Sequence, residues 1–202
     1  QYGEFQTMDY TIDFTMPMNE NVMRELAQII DIEYMEPRVE MGFELKNGWR
    51  KRNVSIIAVP RDTEFYNFKT PTDKPLKLSK NGIVLPRRLA NILGVKLGDE
   101  ITIKSFIPDR EESVVQVSGI TEQYLGSNGY MDIEALNSLL KERNMITGVM
   151  VNSNDDLVYK LRDAKNIRQI SSVNDLKENF EEFMELIIAS VGIMMLFGGV
   201  LG

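Results

Sequence analysis

Two of the side chains that enzymes often use for nucleophilic and metal chemistry, imidazole and thiol, are missing from this sequence. Its 202 residues include no His and no Cys. This composition excludes thiolate nucleophiles, disulfides, His-based triads and Cys/His zinc sites. Carboxylate chemistry, a Ser-Lys or Thr nucleophile and an oxygen-ligated metal remain open.

Two short motifs could supply that remaining chemistry. Ser79-Lys80 is a Ser-Lys pair, but adjacent residues of an extended chain point to opposite faces, so the lysine would not reach its own serine. A run of oxygen donors could suggest calcium, but it lacks the alternating acids, mid-loop Gly and distal Glu of an EF-hand, and helix capping explains it better: Asn152, Asn154, Asp155 and Asp156. We therefore predict no catalytic, cofactor-binding or metal-ligating residue, no cofactor and no enzymatic activity.

The charges of the chain give it no overall attraction to polyanions. There are 23 basic and 30 acidic residues, a formal net charge of −7, and such a chain is not drawn to nucleic acid or anionic lipid. The one basic run, residues 50–52 after Trp49, is interpreted as a solvated hairpin strand, with lipid headgroups as an alternative partner. No nucleic-acid partner is expected.

The elements that must position these residues follow from periodicity. In the first 60 residues we expect a strand over 10–15 ended by Pro17, then a helix capped by Asn19 and closed by Asp31. Its apolar positions recur at helical spacing: Val22, Met23, Leu26, Ile29 and Ile30. Alternation over 39–45, Asn47-Gly48 and a returning strand over 49–59 predict a β-hairpin.

The middle of the chain carries its most regular pattern. After a predicted loop over 61–75, we expect a strand over 83–85, a short helix that starts near Pro86 and a left-handed Gly94 at its end. Its apolar face is Leu89, Ala90, Ile92 and Leu93. Strands over 100–106 and 113–120 follow.

The last third resembles the first in the order of its elements. A helix over 133–143 capped by Asp132 precedes a strand over 147–152, a helix over 155–164 and a strand over 167–172. A shift of 135 residues aligns Asn19 with Asn154 and Leu26 with Leu161. We predict two strand–helix–strand units that form one α/β layer, with a β-rich insertion between them.

The final 17 residues, 186–202, contain no charged side chain. That length is at the lower limit for a membrane span, and Gly198 and Gly202 give the GxxxG spacing of packed membrane helices. We interpret the segment as the start of a truncated transmembrane helix that follows a stalk helix from about residue 173. A hydrophobic core helix is the alternative. Because the first residue is Gln, we expect the chain to be processed or excised from a longer protein.

Three residue sets resemble the extracytoplasmic (MacB-like periplasmic core) domain of FtsX/MacB-type ABC transporter permeases. They are residues 31–39, then residues 82–101 with 115–120, and residues 180–202. The middle set, Gly-Ile-Val-Leu-Pro-Arg-Arg-Leu-Ala-Asn-Ile-Leu-Gly-Val-Lys-Leu-Gly-Asp-Glu-Ile, is the most specific of them.

The resemblance implies an α+β domain between membrane helices. Its α/β (porter-like) module would comprise residues 8–60 and 146–172, its inserted β-rich (sabre-like) module 61–145, and its stalk and truncated span 173–202. It implies a domain on the extracytoplasmic side of the cell membrane that couples ATP-driven motion to export, release or signalling. Implied partners are a second permease copy or paralogue, a cytoplasmic ATP-binding subunit, and a lipid, peptide or cell-envelope protein.

A second resemblance gives the alternative function. Residues 82–99 are similar to the strand, short helix, glycine and turn of AbrB-type DNA-binding regulators, in which Arg87 and Arg88 would contact phosphate. Under this alternative the chain is a soluble regulator or interaction module whose apolar tail packs internally.

Overall fold

The computed structural model describes residues 6–122, 128–173 and 186–188. Its strands are β1 Tyr10–Asn19, β2 Tyr34–Asn47, β3 Arg50–Val59, β4 Gly82–Pro86, β5 Glu100–Ser105, β6 Ser113–Thr121, β7 Gly129–Asp132, β8 Met145–Asn152 and β9 Ile167–Ser172. Its helices are α1 Val22–Ile29, α2 Arg87–Leu93, α3 Ile133–Leu139 and α4 Leu157–Lys160. The predicted α+β class is confirmed.

The long strand β2 belongs to two sheets. Its first part pairs with β8, from Tyr34 opposite Asn152 to Arg38 opposite Gly148. Its remaining residues, 39–47, pair with β3 on one side, and residues 43–46 also pair with β5 on the other. The chain therefore continues from an open sheet into a second sheet without leaving the strand.

The second sheet closes on itself. Its neighbours run β3-β7-β4-β6-β5-β2, and β3 also pairs with β2. These six strands form a closed barrel, which removes the unpaired edges that an open sheet leaves. Strands from both predicted modules, β2 and β3 from the first and β4 to β7 from the second, share this barrel; the division into modules stays a prediction.

The open sheet has the order β9-β1-β8-β2, with every neighbouring pair antiparallel. It contains the two predicted strand–helix–strand units, β1-α1-β2 and β8-α4-β9. Side chains such as Ile12, Val149 and Leu26 join the barrel interior in one apolar cluster. A smaller cluster lies under the loop after β3 and includes Phe65, Tyr66 and Met150.

The hairpin and the glycine-terminated helix form as predicted. Asn47 lies opposite Arg50, so Gly48 and Trp49 are the two turn residues, and Gly48 has a φ of 58°. Helix α2 ends at Gly94 with a φ of 68°, a conformation that glycine adopts without penalty. The apolar positions Leu89, Ala90 and Leu93 are buried beneath the helix.

Several expected boundaries were wrong. Pro17 does not end β1, which continues to Asn19; the pairing with β8 is interrupted between Asp13 and Met18, so the missing N–H of Pro17 costs no ladder hydrogen bond. Helix α1 begins later than expected and leaves Ile29 60% exposed. The helices predicted over 133–143 and 155–164 are shorter, and β7 was not predicted.

The predicted tail falls almost entirely outside the described residues. Only 186–188 are described there, and they are helical and exposed. In the described ranges, no helix combines the length and the apolar character that a bilayer crossing requires. The transmembrane segment remains a prediction.

Candidate functional site

A cleft of about 810 Å³ opens where the open sheet meets the barrel. We call it the junction cleft; it is lined by residues 20, 23, 34–37, 60–62, 132–134, 137, 138, 142–144 and 146. Its walls come from the start of α1, the first part of β2, the chain after β3, and α3 with the loop that follows it. The cleft exists because β2 continues through both sheets and holds their walls together.

Glu36 is the carboxylate that β2 contributes to the cleft, and it has an exposure of 4%. It accepts hydrogen bonds from the Tyr34 hydroxyl (3.0 Å), the Thr63 hydroxyl (2.5 Å) and the Glu64 N–H (2.7 Å). Burial and the adjacent Glu36 carboxylate raise the pKa of Tyr34 to about 12. Tyr34 therefore stays a neutral donor, and Glu36 fixes the loop after β3 to the strand.

Asp132 is a second buried carboxylate of the cleft, with an exposure of 3%. Its Oδ1 accepts the N–H of Glu134 (3.2 Å) and so caps α3, as predicted. Its Oδ2 accepts from Arg61 Nε (3.3 Å) and Nη2 (3.2 Å). The cleft thus already holds one guanidinium group against a carboxylate.

A row of charged side chains crosses the open sheet next to the cleft. The buried guanidinium of Arg38 on β2 donates to Asp13 on β1 and lies 3.3 Å from Glu40. Strand β8 lies between β2 and β1, and its residue in that row is Gly148, opposite both Arg38 and Asp13. A Cβ at position 148 would meet Asp13 Oδ1 at 3.1 Å. The glycine therefore opens the space through which the ion pair forms.

The first and the last strand of the open sheet, β1 and β9, lie side by side. Tyr10, at the start of β1, pairs with Ser172, at the end of β9. The Val173 N–H donates to the Asp9 carbonyl (2.8 Å), and Asp9 in turn is held by Asn152 Oδ1 (2.9 Å) and the Ser153 N–H (3.3 Å). We call this arrangement the exit pair; β1 is the first strand of the fold, and β9 is the last strand that the structure describes.

The oxygen donors at residues 152–156, considered above as a calcium motif, form hydrogen bonds within the protein. Asp156 caps α4 by accepting from the Tyr159 N–H (3.1 Å), so one residue of the run has the capping role expected for it, two residues later in the chain than the predicted helix start implies. Asp155 accepts from the Asp31 N–H (2.8 Å) and from Lys160 Nζ (2.5 Å), and these bonds, the Lys160 contact first, lower the pKa of Asp155. In the described ranges no three acidic side chains come together in a way that could hold a metal ion.

The other sequence candidates are separated from the junction cleft. Ser79 and Lys80 are exposed, and Ser79 Oγ accepts from the Asn81 N–H at 3.5 Å. In the basic run, the Arg50 guanidinium lies 5.2 Å from the centre of the Trp49 ring, and Trp49 is 85% exposed at the hairpin tip. Arg87 pairs with Glu122 at 2.8 Å, so one of the two arginines considered for phosphate contact is already engaged.

Sequence reasoning did not find the junction cleft. Its side chains come from four segments that are distant in the chain, such as Glu20, Glu36 and Glu134, and none of them forms a local motif. A signal does exist in hindsight: Glu36 and Arg38 are both buried and lie on the same face of β2. Buried charges on a strand indicate paired partners elsewhere.

No family model matches this chain, and no curated protein sequence matches it significantly. Solved structures do match it, including two extracytoplasmic domains. The periplasmic region of MacB from Actinobacillus actinomycetemcomitans has a TM-score of 0.55 at 15% identity, over 88% of this chain and 94% of that chain. The extracellular domain of the noncanonic ABC-type transporter YknZ from Gram-positive bacteria has a TM-score of 0.53 at 11% identity, over 81% and 99%.

The chain has the fold of these extracytoplasmic domains. At this level of identity the likeness establishes the MacB-type fold alone, and it confirms the fold that the sequence resemblance implied. In the MacB-type fold of this chain, the junction cleft lies between the open sheet and the barrel, and the exit pair lies at the edge of the open sheet formed by β9 and β1.

Proposed function

We propose that this chain is the extracytoplasmic domain of an ABC transporter permease and that it couples ATP-driven motion of a membrane part to export, release or signalling. It would work with a second permease copy or paralogue and with a cytoplasmic ATP-binding subunit. The domain itself would perform no bond chemistry. The MacB-type fold supports this proposal, because the similar YknZ domain is the extracellular part of a noncanonic ABC-type transporter and the similar MacB region is periplasmic.

The exit pair is the observation that carries the mechanical part of the proposal. Because β1 and β9 are hydrogen-bonded neighbours, the segments that extend beyond them can both connect to the same membrane without crossing the domain. Because Tyr10 and Ser172 pair in one sheet, a displacement of either segment moves β1 and β9 together. The domain would therefore follow the membrane part as a rigid body.

The first experiment tests the side of the membrane. The chain contains no Cys, so Asn53→Cys, on the exposed part of β3, introduces the only thiol of the domain. A membrane-impermeant maleimide added to intact cells that make the full-length protein should label this variant as fully as it does after lysis. Val149→Cys, in the buried core, is the matched control and should stay unlabelled in folded protein. Labelling of Asn53→Cys only after lysis would contradict the proposal.

The second experiment tests the coupling. Asn53 lies opposite Glu44 on β2, about 30 Å along the strand from Tyr34 at the exit end. Spin labels at Asn53→Cys in two copies of the full-length permease should change their separation between nucleotide-free and ATP-bound complexes. A Gly-Ser-Gly insertion between Ser172 and Val173 should leave the fold intact and remove that change. An unchanged separation in the complex without the insertion would refute coupling while leaving the location intact.

A further inference from the structure

The junction cleft carries an excess of negative charge. Two guanidinium groups, Arg61 and Arg143, face six carboxylates: Glu20, Glu36, Asp62, Asp132, Glu134 and Glu142. Four separate chain segments contribute these acids, so the fold, and no local motif, places them around one space. A half-enclosed cleft also screens charges less than open water does.

Only some of these acids are neutralised within the protein. Arg61 pairs with Asp132, Arg110 donates to Glu142 at 2.6 Å, and Lys77 Nζ lies 3.9 Å from Asp62. Glu36 accepts three hydrogen bonds, none of them from a cation. In the part of the chain that the structure describes, Glu20 and Glu134 make no ion pair within 4.0 Å. The cleft therefore has negative charge left over for a ligand.

An independent feature of the wall also points to a missing donor. Asn137 on α3 lines the cleft and has an exposure of 8%. Its Nδ2 donates to the Met145 carbonyl at 3.1 Å, whereas its Oδ1 has no hydrogen-bond partner among the described residues. A buried amide oxygen without a donor costs roughly 1–3 kcal/mol, and an N–H group of a ligand would remove that cost.

We propose that the junction cleft binds an organic cation with two or more ammonium groups. The Arg61–Asp132 pair shows how the cleft holds one nitrogen cation, with two N–H groups on a single carboxylate oxygen. The unpaired carboxylates Glu20 and Glu134 would receive further ammonium groups, through charge-assisted hydrogen bonds. Both a polyamine and a lysine-containing peptide carry this chemistry. The inference does not depend on the proposed transport role.

Calorimetric titration of the full chain tests this proposal with two defined probes, spermidine and trilysine, and with triglutamate as the anionic control. Binding of spermidine alone identifies a polyamine site, and binding of trilysine, with or without spermidine, identifies a peptide site. Either result supports the proposal, and triglutamate should give no binding heat. Absence of binding by both cations at millimolar concentration would overturn it.

Two charge-removing variants locate the site. Glu20→Gln and Glu134→Gln should each weaken binding about fivefold or more, equivalent to about 1 kcal/mol. Both side chains are exposed, so neither change disturbs the core. Glu100→Gln, an exposed glutamate at the start of β5 outside the cleft, removes the same charge and should leave the affinity within about twofold. Equal weakening by all three variants would show nonspecific attraction to an acidic protein and would refute the site.

Discussion

The open sheet and the barrel are stabilised by different interactions. The barrel closes β2 onto β3 and buries apolar side chains such as Phe43, Ile103 and Leu85 without exposure. Among the described residues, the open sheet ends at β9, and the ion pair between the buried Arg38 and the partly buried Asp13 crosses its middle strand. The barrel depends on packing, and the open sheet depends on pairing that a single substitution can destroy.

This difference matters for the proposed function. The exit pair belongs to the open sheet, so motion from the membrane would enter the region whose stability relies on specific ion pairs. The barrel, connected through the continuous strand β2, would move with it as a unit. The junction cleft lies between the two and would change shape if they moved relative to each other.

The largest expected effect comes from breaking the buried ion pair. Arg38→Met leaves the partly buried Asp13 with only the exposed Arg168, 3.8 Å away, as a cation. Loss of one partner of a buried pair costs about 3–5 kcal/mol of unfolding free energy, and we expect a cost near the lower end of that range. Urea denaturation followed by circular dichroism measures this loss. The double variant Arg38→Met with Asp13→Leu should recover a large part of it, because the carboxylate that loses Arg38 is then removed as well. A cost below about 1 kcal/mol for Arg38→Met would show that the pair does not stabilise the open sheet.

The next largest effect is expected when a side chain is added at Gly148, in the space where Arg38 reaches Asp13. Gly148→Ala places a Cβ against the Ile12 carbonyl and within 3.1 Å of Asp13 Oδ1. Overpacking of this kind costs about 1–3 kcal/mol, measured by the same denaturation experiment.

Gly48→Ala is the control for the glycine substitution. It meets no atom within 4 Å, although its φ of 58° is unfavourable for alanine, so it should cost only about 1 kcal/mol. If both substitutions cost the same, steric exclusion at Gly148 is not the reason for the glycine.

A conservative change in the barrel should cost less than either change in the open sheet. Ile103→Val removes one buried methylene group from a fully buried position, which typically costs about 0.5–1.5 kcal/mol. The denaturation midpoint should fall without a change in the denaturant dependence. A loss as large as that of Arg38→Met would contradict the view that the barrel tolerates single substitutions better.

The smallest effect concerns an ion pair on the surface of the barrel. Lys46 Nζ lies 2.9 Å from Glu112 Oε1, and this hydrogen bond lowers the pKa of Glu112. A carboxyl whose pKa is lowered by folding adds stability above its unfolded pKa, and that stability is lost as the pH falls through the folded value. Lys46→Met should raise the pKa of Glu112 towards its ordinary value, as NMR titration of the side chain would show. No change in that pKa would indicate that the pair is not populated in solution.

Local patterns predicted the elements whose neighbours in the chain determine them. Asn47-Gly48 placed the hairpin, and Gly94 placed the end of α2, because both depend on backbone conformations available to few residues. The extent of α1 and α4 was predicted less well. Apolar positions such as Ile29 continue the helical period without a surface to cover them, so periodicity overestimates burial.

These local patterns could not predict which distant strands pair with each other. The sequence shows that β2 is long, but only its partners reveal that residues 34–38 belong to an open sheet and residues 39–47 to a barrel. The short strand β7 has no period of its own and exists because β3 and β4 supply hydrogen bonds on both sides. The carboxylates of the junction cleft were equally hidden, because their proximity follows from these pairings.

The sequence by itself determined the α+β class, the hairpin, the helix caps at Asp132 and Asp156, and the absence of thiol and imidazole chemistry. These properties depend on composition and on contacts within a few residues. Only the tertiary structure decided that six strands close into a barrel, that Tyr10 and Ser172 become neighbours, and that Gly148 admits the ion pair between Arg38 and Asp13. The reason is physical: strand pairing and buried electrostatics join residues far apart in the chain, and no local period records which partner each strand takes.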